Sequence, residues 1–219
     1  MAMIRRDYFL RVVQEMTQTL ARVLFLKQRE EYTQAMQEIG AALRKLRGAP
    51  ANDTQELALE DWLELCRRHE DAASGLLLGL ADLLREQGEL FSMQSRSAEA
   101  QGARVVALGL FLEALLRGET FVSKELMLKV EELIAQCAAG PMPASLRVRL
   151  AGYYEARGRF GAVEDVLFDW RDSGEPGATE AGAEFFDRLR DKTDAELEQG
   201  GLPRAEVEEG RRELLTKQS

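Results

Sequence analysis

The chain has 219 residues, of which 45% are hydrophobic and 31% charged, enough for one large domain or two small ones with a substantial core. Its net charge is −9, unevenly spread: residues 1–49 hold nine Lys/Arg against five Asp/Glu, whereas residues 50–219 hold 20 against 33. An acidic body repels phosphate backbones and argues against nucleic-acid binding, and the basic first hairpin is either a solvated face or a surface for an acidic partner.

Ala, Leu, Glu, Arg and Gln dominate, which favours helices throughout. Ile4, Tyr8, Val12, Met16, Leu20 and Leu24 recur every fourth position and predict one face of a long amphipathic helix. "KQRE" (27–30) is a tight break. A second helix to about Lys45 follows, with Tyr32, Ala35, Met36, Ile39 and Leu43 on its buried face. "RGAPAND" (47–53) is a linker, and Asp53 with Glu56 forms a candidate capping box for a helix carrying Trp62, Leu63 and Cys66 that ends near His69.

An apolar helix over 72–88 comes next, with Gly88 read as its C-cap. Residues 89–118 read as helical with a break around Gly102. Ser123 is a good N-cap for a helix over 124–137, and "AAGPMPA" (138–144) is a second linker. "GYYEARGRFGAVEDVLFDW" (152–170) reads as helix, turn, helix, closed by "DSGEPG" (172–177). A helix over 179–191, a capping box at Thr193 and Glu196, a Gly-Gly stop and a Pro start at 203 complete the chain. Ten or eleven helices and no credible strand give an all-α class, built from successive antiparallel hairpins.

Setting "LADLLREQGELF" (80–91) over "LAGYYEARGRFG" (150–161) aligns Gly88 with Gly158 and Leu90 with Phe160, a spacing of about two units of the 34-residue tetratricopeptide (TPR) period. In the first hairpin Glu30 stands where such a unit wants Gly, and Val163 stands where another wants Ala. The expected architecture is one domain over 1–219, a TPR-like right-handed solenoid of stacked, degenerate helical hairpins, with linkers at 47–53, 138–144 and 172–177.

"MIRRDYFLRVVQEM" (3–16) and "TDAELEQGGLPRAEVEEG" (193–210) carry a further likeness. Ile4, Arg5, Arg6, Asp7 and Tyr8, then Leu197, Gly200, Gly201, Leu202, Pro203 and Val207, resemble a bacterial family of unknown function. The resemblance implies an all-helical, TPR-like fold and a bacterial cytoplasmic setting, and it implies no reaction.

The chemistry-bearing residues are sparse. Cys66 and Cys137 stand 71 residues apart with no CxxC or Cys/His cluster, which argues against zinc and suits small hydrophobes in a reduced compartment. The single histidine, His69, sits at a helix end among charges. No Walker loop, GxGxxG or GxSxG occurs, and carboxylate pairs on Glu/Arg-rich helices read as solvated faces. No signal peptide and no apolar run of membrane-spanning length is visible, so a cytoplasmic protein without cofactor is expected.

The candidate partner-binding residues are Arg5, Arg6, Arg147, Tyr154 and Arg157. Arg5 and Arg6 open the first helix, where the dipole disfavours cations, and suit either a bridge to the acidic C-terminal segment or a partner contact. Of the adjacent Tyr153 and Tyr154, Tyr153 is the core candidate, and Tyr154 lies nearer the flank with Arg147 and Arg157. Three functions remain in view: a non-catalytic scaffold binding a peptide or protein along a concave face, an enzyme with a polar pocket between hairpins, and a membrane-surface or dimerising role for the first helix, which leaves homo-oligomers open.

Overall fold

The computed structural model describes residues 2–50, 57–68, 73–118 and 122–215, with side chains described from Arg11 onward except at 73 and 215. Among the described residues there are eleven α-helices and no strand: α1 (Ala2–Gln28), α2 (Tyr32–Arg47), α3 (Leu59–Arg67), α4 (Ala73–Met93), α5 (Ser97–Leu116), α6 (Lys124–Cys137), α7 (Ala144–Ala156), α8 (Phe160–Asp172), α9 (Ala178–Leu189), α10 (Asp194–Gln199) and α11 (Arg204–Leu215). No helix is long and apolar enough to cross a membrane. The chain divides into two compact units, Met1–Pro141 and Met142–Ser219.

In the first unit α4 and α5 form the central pair. α4 packs along α5 and against α1, α2 and α3, and α5 packs against α3 and α6. α5 is apolar nearly all round, from Val105 to Leu112 without a break in burial, as a helix enclosed on every side must be. Leu59 of α3 lies so close to Gly109 of α5 that a Cβ there would stand 2.4 Å from its Cδ2. In the second unit α8 packs on α7, α9 and α11, while α9 packs on α11. Phe185, Phe186 and Leu189 of α9 fill its centre with Leu167, Trp170 and Leu214.

Three hairpins turn in the same way. Glu30, Ser95 and Gly158 take φ of 61°, 60° and 67°. The next residues, Glu31, Arg96 and Arg159, have φ of −84°, −95° and −94° with ψ of 55°, 68° and 67°, and each starts the following helix. Their amides donate back to the carbonyls of Leu26, Phe91 and Tyr154, each at 2.9 Å, closing the helix end in a six-to-one bond. A buried Ala35, Ala100 or Val163 then lies one turn into the second helix. The register that relates the hairpins therefore passes through Ser95.

Gly88, aligned above with Gly158, is instead interior to α4, and Gly102 is interior to α5. Gly88 lets α5 approach: a Cβ there would meet Arg104 Cγ at 3.1 Å and the Ala100 carbonyl oxygen at 3.3 Å. The first helix also departs from its expected face. Met16 is buried, but deeper along the helix Val23 and Leu26 are enclosed while Leu24 is 41% exposed. A strict four-residue step gains about 40° on each turn, so the stripe rotates away from the core and a three-residue step restores it. The expected caps at Ser123 and Thr193 form, with Ser123 Oγ accepting from the Leu126 amide at 3.1 Å and Thr193 Oγ1 from the Glu196 amide at 3.3 Å. The capping box expected at Asp53 and Glu56, and His69, lie outside the described residues.

Candidate functional site

The second unit carries a groove of about 720 Å³ where the α7–α8 turn faces the ends of α9 and α10. Arg157, Gly158 and Arg159 line it from the turn, Arg188 and Lys192 from the end of α9 and beyond it, and Glu155 and Glu196 supply its acids. Four cations thus meet two carboxylates. The positive φ of Gly158 lets the chain reverse within three residues, so Arg157 and Arg159 both reach the groove.

Both arginines are ordered by aromatic faces. The Arg157 guanidinium carbon lies 5.5 Å from the centroid of the Tyr153 ring, and that of Arg159 lies 4.7 Å from the centroid of Tyr154. The tyrosine rings stand 5.5 Å apart, tilted by 50°. Tyr153 is 3% and Tyr154 8% exposed. Burial of only one of two adjacent tyrosines was the expectation; both are buried here, because the two arginine side chains close over them. Tyr154 therefore acts as a platform beneath Arg159, and Arg159 is what reaches the groove.

The acids of the groove are engaged. Glu155 accepts two parallel bonds from Arg188, Nε at 2.7 Å and Nη2 at 2.8 Å, and this pairing holds the guanidinium above its ordinary pKa range. Glu196 accepts from the Thr193 amide and hydroxyl, each at 2.8 Å, and from Lys192 Nζ at 3.3 Å. The Thr193 amide is the leading cause that brings its carboxyl down to about 2, followed by the Thr193 hydroxyl and Lys192.

The groove is braced by the C-terminal motif. Gly200 receives the Gly161 amide on its carbonyl at 3.0 Å, and a Cβ on Gly200 would stand 2.7 Å from the Gly158 carbonyl oxygen and 2.2 Å from Phe160 Cδ2. Gly201 takes φ of 74°, and Leu197, Leu202 and Val207 are buried around it. The residues that carried the likeness at this end thus seat the α10–α11 turn on the α7–α8 turn. The model of a family of unknown function (DUF6483) matches residues 3–219. The chain belongs to that family. No curated protein and no solved structure matches it. The DUF6483 match spans both units, so the groove and the helices of residues 2–141 belong to one family sequence.

Of the residues expected to meet a partner, Arg157 lines the groove. Arg147 is half-buried at the start of α7, where its Nε donates to the Met142 carbonyl at 2.9 Å. Arg5 and Arg6 lie within α1, and their side chains are outside the described residues, as is any bridge they make. Sequence reasoning missed Arg159, Arg188 and Lys192. Arg159 is two residues past Arg157 across a turn glycine, and Arg188 and Lys192 share an i,i+4 spacing, so both signals were visible without a reason to join them.

The first unit holds a different polar cluster. Glu86 of α4, 1% exposed, is the one buried charged residue among those described. Lys27 of α1 bonds both Glu86 and Glu89, Arg85 bonds both at 2.5 and 3.1 Å, and Lys129 of α6 reaches Asp82 at 3.0 Å. Burial works to lower the pKa of Lys27, but the bonds to Glu86 and then Glu89 outweigh it and hold the ammonium above its ordinary range. A lysine kept charged in this way is a structural cation and a poor nucleophile.

Cys66 and Cys137 are free, buried thiols, pushed up by burial to about 12 and about 11, and so inert at neutral pH. Among the described residues no three His, Cys, Asp or Glu side chains are grouped to hold a metal ion.

Proposed function

We propose that this chain is a non-catalytic, TPR-like module of helical hairpins that binds an acidic segment of a partner protein in the groove beside the α7–α8 turn. The observation that carries the reading is the pair Arg157 and Arg159, stacked over buried tyrosine rings, in a groove lined by four cations and two acids. A guanidinium stacked on a ring keeps N–H donors at its edge for a carboxylate, and its ordering is settled before binding, so less entropy is lost. The TPR-like part rests on three hairpin turns with the same dihedrals and hydrogen bonds, each followed by a small or β-branched buried residue. Four cations against two acids in the groove favour an acidic peptide over a basic one locally, against the repulsion of a chain of net charge −9.

The test is fluorescence anisotropy of the full chain with dye-labelled Asp/Glu-rich, Lys-rich and uncharged peptides of equal length. The acidic peptide alone should bind. Its affinity should fall with salt and drop on the order of tenfold or more in Arg157→Glu/Arg159→Glu. Equal binding of the three peptides, or binding that the double variant leaves intact with its helix content preserved, sinks the reading.

A further inference from the structure

Beyond the acidic-peptide groove, a second cationic cleft lies between the end of α9 and α11. It measures about 660 Å³ and is lined by Phe186, Arg190, Arg204, Val207, Glu208, Arg211 and Arg212. We propose that this cleft between α9 and α11 is a binding site for a small phosphate-bearing molecule, gripped by Arg190 and Arg211 with Arg204 and Arg212 beside them.

The geometry of the arginines points to an oxyanion. Arg190 Nη1 and Arg211 Nη2 converge on the same atom, Asp187 Oδ1, at 3.6 and 2.9 Å. One carboxylate oxygen therefore draws two guanidiniums together without matching their charge. Arg211 Nε is shielded from solvent and has no hydrogen-bond acceptor. A shielded nitrogen is out of a ligand's reach, so the grip falls to the parts of the guanidinium side chains open to the cleft, Arg190 at 65% and Arg211 at 36% exposed. Arg204 is anchored, with Nε on Asp194 at 2.9 Å, Nη1 on the Leu189 carbonyl at 3.2 Å, and Nη2 on the Lys192 carbonyl. Its positive charge is therefore fixed at the cleft wall.

A phosphate group supplies the missing chemistry. Its oxygens accept from several guanidinium forks at once, and its multiple charge outweighs that of Asp187. The lining holds four arginines and a single acid, Glu208, and a floor of Phe186 and Val207 that is apolar and buried. The volume suits a small molecule. A nucleic-acid backbone is a different case, since the net charge of −9 repels an extended polyanion that a local cleft would still admit in miniature.

The test titrates the full chain with inorganic pyrophosphate at constant ionic strength, by calorimetry and by phosphorus NMR. Saturable binding is expected. Arg190→Gln and Arg211→Gln should each weaken it roughly tenfold. Asp187→Asn, which removes the internal rival for both guanidiniums, should tighten it by about threefold or more. Arg157→Glu/Arg159→Glu should leave it unchanged, which separates this site from the peptide groove.

Arg190 and Asp187 are exposed, so their variants keep the test decisive should Arg211→Gln fail to fold. A nucleoside triphosphate serves as a second arm: equal affinity places recognition in the phosphates alone, tighter affinity adds the nucleoside, and either supports the site. Absence of saturable pyrophosphate binding, indifference to Arg190→Gln, or weaker binding by Asp187→Asn overturns it.

Discussion

The two units treat charge in opposite ways. Residues 2–141 bury it: Glu86 sits deep on α4, and with its neighbours Lys27, Arg85, Glu89, Asp82 and Lys129 it forms a network of three cations and three anions. Residues 142–219 carry their ion pairs nearer the surface, around two grooves whose linings hold more cations than acids. Arg157, Arg159, Arg188 and Lys192 crowd one groove, and Arg190, Arg204, Arg211 and Arg212 another. A closed network fixes how helices meet and has little field left over for a ligand. An open excess of one sign adds nothing comparable to packing and is available for binding. The contrast assigns a structural role to the ions of the first unit and a recognition role to those of the second.

The largest effect should come from breaking the closed network. Glu86→Ala leaves Lys27 and Arg85 with one fewer partner in a buried site, and such a loss costs about 3–5 kcal/mol. Urea denaturation at neutral pH measures it. Lys27→Met/Glu86→Leu removes both charges together and should return stability to within about 1 kcal/mol of the parent, because a well-packed apolar pair replaces the ions. A double variant as unstable as Glu86→Ala would show that the ions hold the helices in a way that packing cannot replace.

The second unit offers the reverse case, a half-buried acid among acids. Glu164 of α8 lies against α11, its Oε1 placed 2.1 Å from where a Cβ on Gly210 would stand. Burial first, then the charges of Asp165, Glu206, Glu213 and Glu209, push its carboxyl up to about 7. Between the ordinary carboxylate range and pH ~7 the folded chain therefore holds a proton that the unfolded chain releases, and stability falls as pH rises through that window. Glu164→Gln should abolish the fall. It should stabilise the protein by about 1–2 kcal/mol near pH 8, a figure reduced for solvent screening, and by nothing near pH 4. Thermal melts of both proteins across that range check it, and a parent whose stability rises over pH 5–7 relative to the variant contradicts it.

How much of this the sequence made legible depended on which residue did each job. The all-helical class, the Ser123 and Thr193 caps and the α7–α8 turn rest on residues acting in their usual roles. The α4–α5 turn was missed because Ser95, which is not glycine, takes the positive φ, while Gly88 is spent on helix contact. With Gly88 set opposite Gly158 in place of Ser95, the middle hairpin was placed out of register with the other two. The groove was half legible for a similar reason. Arg157 stood out beside two tyrosines, but Arg188 and Lys192 join it through contacts distant in the chain, the Arg188–Glu155 pair and the docking of the Gly200–Gly201 turn, which no local pattern encodes.

Gly102 gives the smallest and cleanest test of that lesson. Read as a break, it should resist substitution; placed in the interior of α5, it should welcome it. It is exposed, and a Cβ there would meet nothing within 4 Å, in contrast to Gly88 one helix earlier. Replacing an unobstructed helix-interior glycine with alanine removes freedom from the unfolded chain and favours the helix, so Gly102→Ala should stabilise by about 0.5–1 kcal/mol. Gly88→Ala should do the opposite, because the Ala100 carbonyl oxygen at 3.3 Å from the new Cβ is backbone and cannot step aside without moving α5. Paired denaturation curves decide it: if both alanines destabilise, the chain does turn near Gly102, and the hairpin register through Ser95 fails with it.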